Sequence, residues 1–95
     1  PSTARLYTDL GLLTCNLRIG QDVSRLFNVL TGFSEFPVWR KLAVAPVGLR
    51  ERILEMIARE ANIARKGGAG RIIIQINSLV DPEVISALYT ASRAG

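Results

Sequence analysis

The sequence predicts an α/β fold. Three observations point there: a period-two stretch near the N-terminus, a β-branched run at residues 72–76, and helical periods lying between and after the strand-like stretches. From residue 41 onward the order reads strand, helix, strand, helix, which predicts a parallel β-α-β-α unit with a right-handed crossover.

In the first strand-like stretch, residues 5–13, Leu6, Thr8, Leu10 and Leu12 share a packing face, while Arg5, Tyr7, Asp9 and Gly11 share the polar one. Over residues 21–31 the spacing of Val23, Leu26, Phe27 and Leu30 predicts an amphipathic helix, which Gly32 stops. Residues 33–40 (FSEFPVWR) follow neither period and read as a connector. A domain junction is therefore expected at 35–40, dividing a segment 1–34 from a segment 41–95.

Residues 41–45 predict a strand and 49–66 a helix; residues 71–77, with Ile72, Ile73, Ile74 and Ile76, have the composition of a strand covered on both faces. The last helix is expected over 82–93, with Asp81 as N-cap, Pro82 at the first helical position and Glu83 at the positive end of the dipole. An α/β domain would next need another strand, so the chain reads as an internal segment of a larger enzyme, inactive alone.

Composition narrows the function. There is no histidine, which removes from this segment the commonest general base, nucleophile partner and metal ligand. The single Cys15 can form no internal disulfide and is expected to be a buried apolar residue. No apolar run approaches membrane-span length and no signal peptide is visible, so the expected location is cytoplasmic. The net charge is +4, but all the bases except Lys41 and Lys66 are arginines scattered singly, many beside acids; nucleic acid is not an expected partner.

Three places could carry chemistry. Gly67, Gly68 and Gly70 resemble a phosphate loop, but they run from helix into strand, so a helix C-cap and turn is the reading adopted. At the strand-to-helix turn 46–52, Arg50 and Arg52 sit where the helix dipole disfavours cations, and an anion bound there would remove the conflict. The bland alternative pairs Arg52 with Glu55 and leaves Arg50 in water. Arg5, Tyr7 and Asp9 offer a guanidinium, an aromatic plane and a carboxylate within about 14 Å of strand, suited to a purine or simply to an exposed strand face. Asn77 and Ser78 of the second turn are expected to serve its own backbone.

The stretches TARLYTDLGLLTCN (3–16), IGQDVSRLFNVLTGF (19–33), KLAVAP (41–46), LRERILEMIARE (49–60) and INSLVDPEVISALYTASRAG (76–95), in this order, resemble bacterial polyphosphate kinase. The resemblance implies a multidomain, homo-oligomeric parent that moves the terminal phosphate of ATP reversibly onto inorganic polyphosphate with Mg²⁺. It implies that 1–34 ends a first phospholipase D-like α/β domain and 41–95 begins a second. It carries a nucleotide-contacting role onto Tyr7 of RLYTD and, more weakly, onto Asp9. The phosphorylated histidine and the Mg²⁺-binding residues are expected outside this segment. The family pattern is expected to have Lys where this sequence has Gln75, so no phosphate contact is carried over there. The competing readings are a noncatalytic polyanion-binding module and an α/β assembly module.

Overall fold

In a computed structural model the described residues are Ser2, 9–32 and 34–95. They form three helices: α1 (Leu17–Leu30), α2 (Leu49–Arg65) and α3 (Pro82–Ala94). The chain divides into two compact units, one containing Asp9–Val44 and the other Ala45–Gly95. No described helix is long and apolar enough to cross a membrane.

The α/β expectation is overturned, because the described residues contain no strand and no sheet. A β-branched run makes a strand only where a neighbour accepts and donates the ladder hydrogen bonds, and among the described residues the expected strands lack one. At 41–45 the backbone is committed elsewhere: the N–H groups of Arg40, Lys41 and Leu42 all donate to one carboxylate oxygen of Asp22. At 71–77 the chain is irregular; the Arg71 N–H donates to Glu60, Ile72 packs toward the helices, and Ile73 stands 78% exposed. Of the expected strand at 5–13, residues 5–8 lie outside the described residues, and Leu10, Leu12 and Leu13 are exposed without a ladder. The parallel β-α-β-α unit is thus replaced by two helices packed directly on each other.

In the Asp9–Val44 unit, α1 begins before the expected residue 21, because the Asn16 side chain caps it by accepting from the Arg18 and Ile19 N–H groups. It ends as expected: Gly32 takes φ 80°, a left-handed conformation that glycine adopts without a Cβ clash. The expected apolar face is corrected. Phe27 and Leu30 are exposed, and the buried side chain of the helix is Asp22. Cys15 is also exposed rather than buried, lying just before the Asn16 cap.

In the Ala45–Gly95 unit, Ile57 and Ala61 of α2 meet Val84 and Ala91 of α3, with Ile53, Leu54, Ile72, Ala87, Leu88 and Ala94 around them. The α2 positions recur at i and i+4 and the α3 positions at i and i+7, so each helix brings one stripe to the contact. The alanines let the backbones approach closely. Helix α2 stops in a glycine turn: the Gly67 N–H donates to Ala64 and the Gly68 N–H to Ile63, with Gly67 at φ 80°. The glycine cluster is therefore a helix terminator. Gly70 is also a close-approach residue, since a Cβ there would lie 2.5 Å from the Glu60 carbonyl oxygen.

Candidate functional site: the paired starts of two helices

The turn at residues 45–48 leads into α2, whose N-cap is Gly48 at φ 96° with no side-chain cap. The N–H donors at this helix start lack the side-chain acceptor that the starts of α1 and α3 possess. Arg50 follows within the first turn. At the start of α3 the opposite holds: the Asp81 carboxylate accepts from the Glu83 and Val84 N–H groups, Pro82 occupies the first turn, and Glu83 adds a second negative charge.

Arg50 joins the two starts. Its Nε donates to Asp81 Oδ2 at 2.7 Å, and its Nη2 donates to Glu83 Oε2. The chain itself thus brings two carboxylates to this cationic helix start. The Arg50 side chain does not simply face water. Hydrogen bonding to Asp81 first, and to Glu83 second, raises the Arg50 pKa further, so the guanidinium is charged at every accessible pH. In the other direction, the Arg50 hydrogen bond first and the Val84 N–H next hold the Asp81 carboxyl below the usual carboxylate range. All three side chains keep substantial solvent exposure, so this is a screened surface cluster.

Arg52 behaves as the bland reading expected. Its Nη1 lies 3.2 Å from Glu55 Oε2, one turn along the same helix, with both side chains exposed. Arg50 and Arg52 therefore do not converge on a common partner. Asp9 is exposed and belongs to the Asp9–Val44 unit, while Tyr7 and Arg5 lie outside the described residues. Gln75 is exposed, and Asn77 and Ser78 lie in the irregular stretch before Asp81. Among the described residues no group of three or more His, Cys, Asp or Glu side chains is placed to hold a metal ion.

Sequence reasoning recognised Asp81 and Glu83 as helix-start residues but missed them as partners of Arg50. The signal was present as a charge complement, with one helix starting in arginines and the next in acids. Reading it required knowing that the two starts are neighbours.

Two helices packed through small residues, with a guanidinium clamped between their N-termini, define a polar edge of an α-helical unit that carries cationic side chains. Two family models match the chain: polyphosphate kinase C-terminal domain 1 over residues 1–36, and polyphosphate kinase C-terminal domain 2 over residues 42–95. The chain belongs to the polyphosphate kinase family. It is 56% identical to a polyphosphate kinase of Synechocystis sp. over 95 residues, which is 100% of this chain and 13% of that protein. It is 53% identical to polyphosphate kinase 1 of Chlorobaculum tepidum, covering 100% of this chain and 14% of the relative. It is 54% identical to a polyphosphate kinase of Mycolicibacterium gilvum, covering 100% and 13%. The chain thus spans 13–14% of the length of these relatives. No solved structure matches it significantly.

Proposed function

We propose that this chain is part of an enzyme that reversibly transfers the terminal phosphate of ATP to inorganic polyphosphate, with ADP as the other product. The observation that carries the proposal is end-to-end identity of 53–56% to proteins named polyphosphate kinase. With no histidine among its 95 residues, this segment contributes binding surface, and the phosphohistidine that carries the phosphate belongs to another part of the parent. Mg²⁺ is likewise held by residues other than those described here, and the parent is a cytoplasmic homo-oligomer. The junction between the two catalytic domains falls at residues 35–40. The family matches support this, since they leave 37–41 unassigned.

Within this segment Tyr7 contacts the nucleotide base through its ring, and Asp9 lines the same pocket. An ordinary phenol stays protonated at neutral pH, so the ring's contribution is aromatic surface. Arg52 and Arg50 are the phosphate-facing cations. Arg52 pairs with an exposed carboxylate, and Arg50 engages Asp81 and Glu83 through Nε and Nη2, so that among the described residues its Nη1 donors have no carboxylate partner and can meet an oxyanion.

The test is steady-state kinetics of the full-length protein with Tyr7→Ala and Tyr7→Phe. Stacking of a base on an aromatic ring is worth roughly 1–3 kcal/mol, so Tyr7→Ala should raise the apparent KM for ATP by about tenfold to a hundredfold. Tyr7→Phe should change it little. Equal damage from both variants would assign the contact to the hydroxyl, and unchanged affinity with a lowered Tm would assign Tyr7 to packing.

A further inference from the structure

Asp22 is a carboxylate with 0% of its surface exposed, and among the described residues it is the buried charged side chain. Its Oδ2 accepts three successive backbone N–H groups, from Arg40 at 2.9 Å, Lys41 at 2.7 Å and Leu42 at 3.0 Å, and its Oδ1 accepts from Arg25 Nη1 at 3.3 Å. Hydrogen bonds to an ionised acceptor are the strong kind, and three from consecutive peptide groups fix the local backbone as well as the distance. The residues they restrain are otherwise ordinary surface chain: Arg40 and Lys41 are exposed, and no helix or ladder holds them.

The placement of this contact is what gives it a consequence. Asp22 lies within the stretch matched by the first C-terminal domain, 1–36, whereas Leu42 is the first residue matched by the second, 42–95. A junction defined by sequence alone would bend between them. The compact units divide elsewhere, after Val44, so residues 40–44 fall in the same unit as α1. Immediately beyond comes the turn 45–48, whose residues are all exposed.

We propose that Asp22 is a latch that fastens residues 40–44 to α1, so that the point of articulation between the two family-defined domains is the turn at 45–48 rather than the connector at 35–40. Asp22 acts here as a positioning residue. Motion of the second domain would then begin right at the N-terminus of α2, where Arg50 sits, and the connector with Pro37 and Trp39 would move as part of the first domain. The inference is independent of the proposed chemistry, since it concerns only which peptide groups move together.

Residue-resolved hydrogen exchange and limited proteolysis of the full-length protein test it. In the unmodified protein the amides of residues 40–42 should be protected, and a protease of low specificity should cut first at 45–48. In Asp22→Ala the 40–42 amides should exchange at least about tenfold faster while α2 and α3 keep their protection, and new cuts should appear at 37–44. Asp22→Asn keeps the shape and one acceptor oxygen but removes the charge, so it should give a smaller acceleration confined to the same three amides; this variant decides the matter if Asp22→Ala fails to fold. First cleavage of the unmodified protein at 35–40, or no acceleration at 40–42 in either variant, overturns the latch. Acceleration spread equally over α1, α2 and α3 in both variants overturns it too, because it would mark Asp22 as a general stability residue.

Discussion

The two units of this chain are held together by opposite means. In the Ala45–Gly95 unit two helices bury an apolar contact built around Ile57, Ala61, Val84 and Ala91, and the polar cluster at their starts remains on the surface. In the Asp9–Val44 unit the one helix exposes Phe27 and Leu30 and buries a charge instead. The first arrangement is non-directional, scaling with the area removed from water. The second is directional: Asp22 specifies which three peptide groups lie against the helix. An apolar contact tolerates sliding and repacking, whereas a buried carboxylate permits one register.

That difference can be broken or sharpened experimentally. The largest effect is expected from Ile57→Ala, which removes most of a buried side chain from the α2–α3 contact and should lower the stability of that unit by about 2 kcal/mol or more. Hydrogen exchange of the α2 and α3 amides reads it directly, and the Asp9–Val44 amides should be unaffected. If both units loosen together, they form one cooperative body and the contrast fails.

Acid should act on both units with the same sign but different sensitivity to salt. The Lys41 N–H first, then against it the cost of desolvation, then the Leu42 and Arg40 N–H groups and the Arg25 charge, leave the Asp22 carboxyl below the usual carboxylate range; Asp81 is lowered as well, chiefly by Arg50. A lowered folded-state pKa adds stability that is fully present above the unfolded value, about 3.9 for Asp, and is lost as pH falls through the folded value. Protection in both units should therefore hold above about pH 5 and decline below about pH 4. Raising ionic strength from about 0.1 M to about 1 M should weaken the exposed Arg50 cluster and leave the Asp22 contact nearly unchanged. Equal salt sensitivity would show that Asp22 is wetter in solution than here.

Smaller effects separate the two arginines. Arg50→Gln removes the bridge between the starts of α2 and α3 and should lower the melting temperature measurably. Arg52→Gln removes only an exposed pair within one helix and should cost ~0.2–0.5 kcal/mol at most. Polyphosphate affinity measured on the same variants tests their proposed phosphate contacts. A large stability loss from Arg52→Gln would mean that it has a partner beyond Glu55.

The sequence by itself determined where the helices of this chain are punctuated. Asp81, Pro82, Gly32 and Gly67 act through their own backbone neighbours, so their roles are local and readable; α2 and α3 fall within a residue of the expected bounds. It also carried the family in five ordered stretches. Asn16 was the local signal passed over, an N-cap that lengthened α1. What only the tertiary structure decided was pairing. Residues 71–77 have strand composition, but a strand exists only between partners, and the ladder is absent among the described residues. Asp22 looks like any polar residue on an amphipathic helix until the chain returns to it 18–20 residues later, and Arg50 looks solvated until the start of α3 arrives beside it. Periodicity records the chain's relation to itself over a few residues. A charge chooses its partner by distance in space, and that distance is set only when the helices pack.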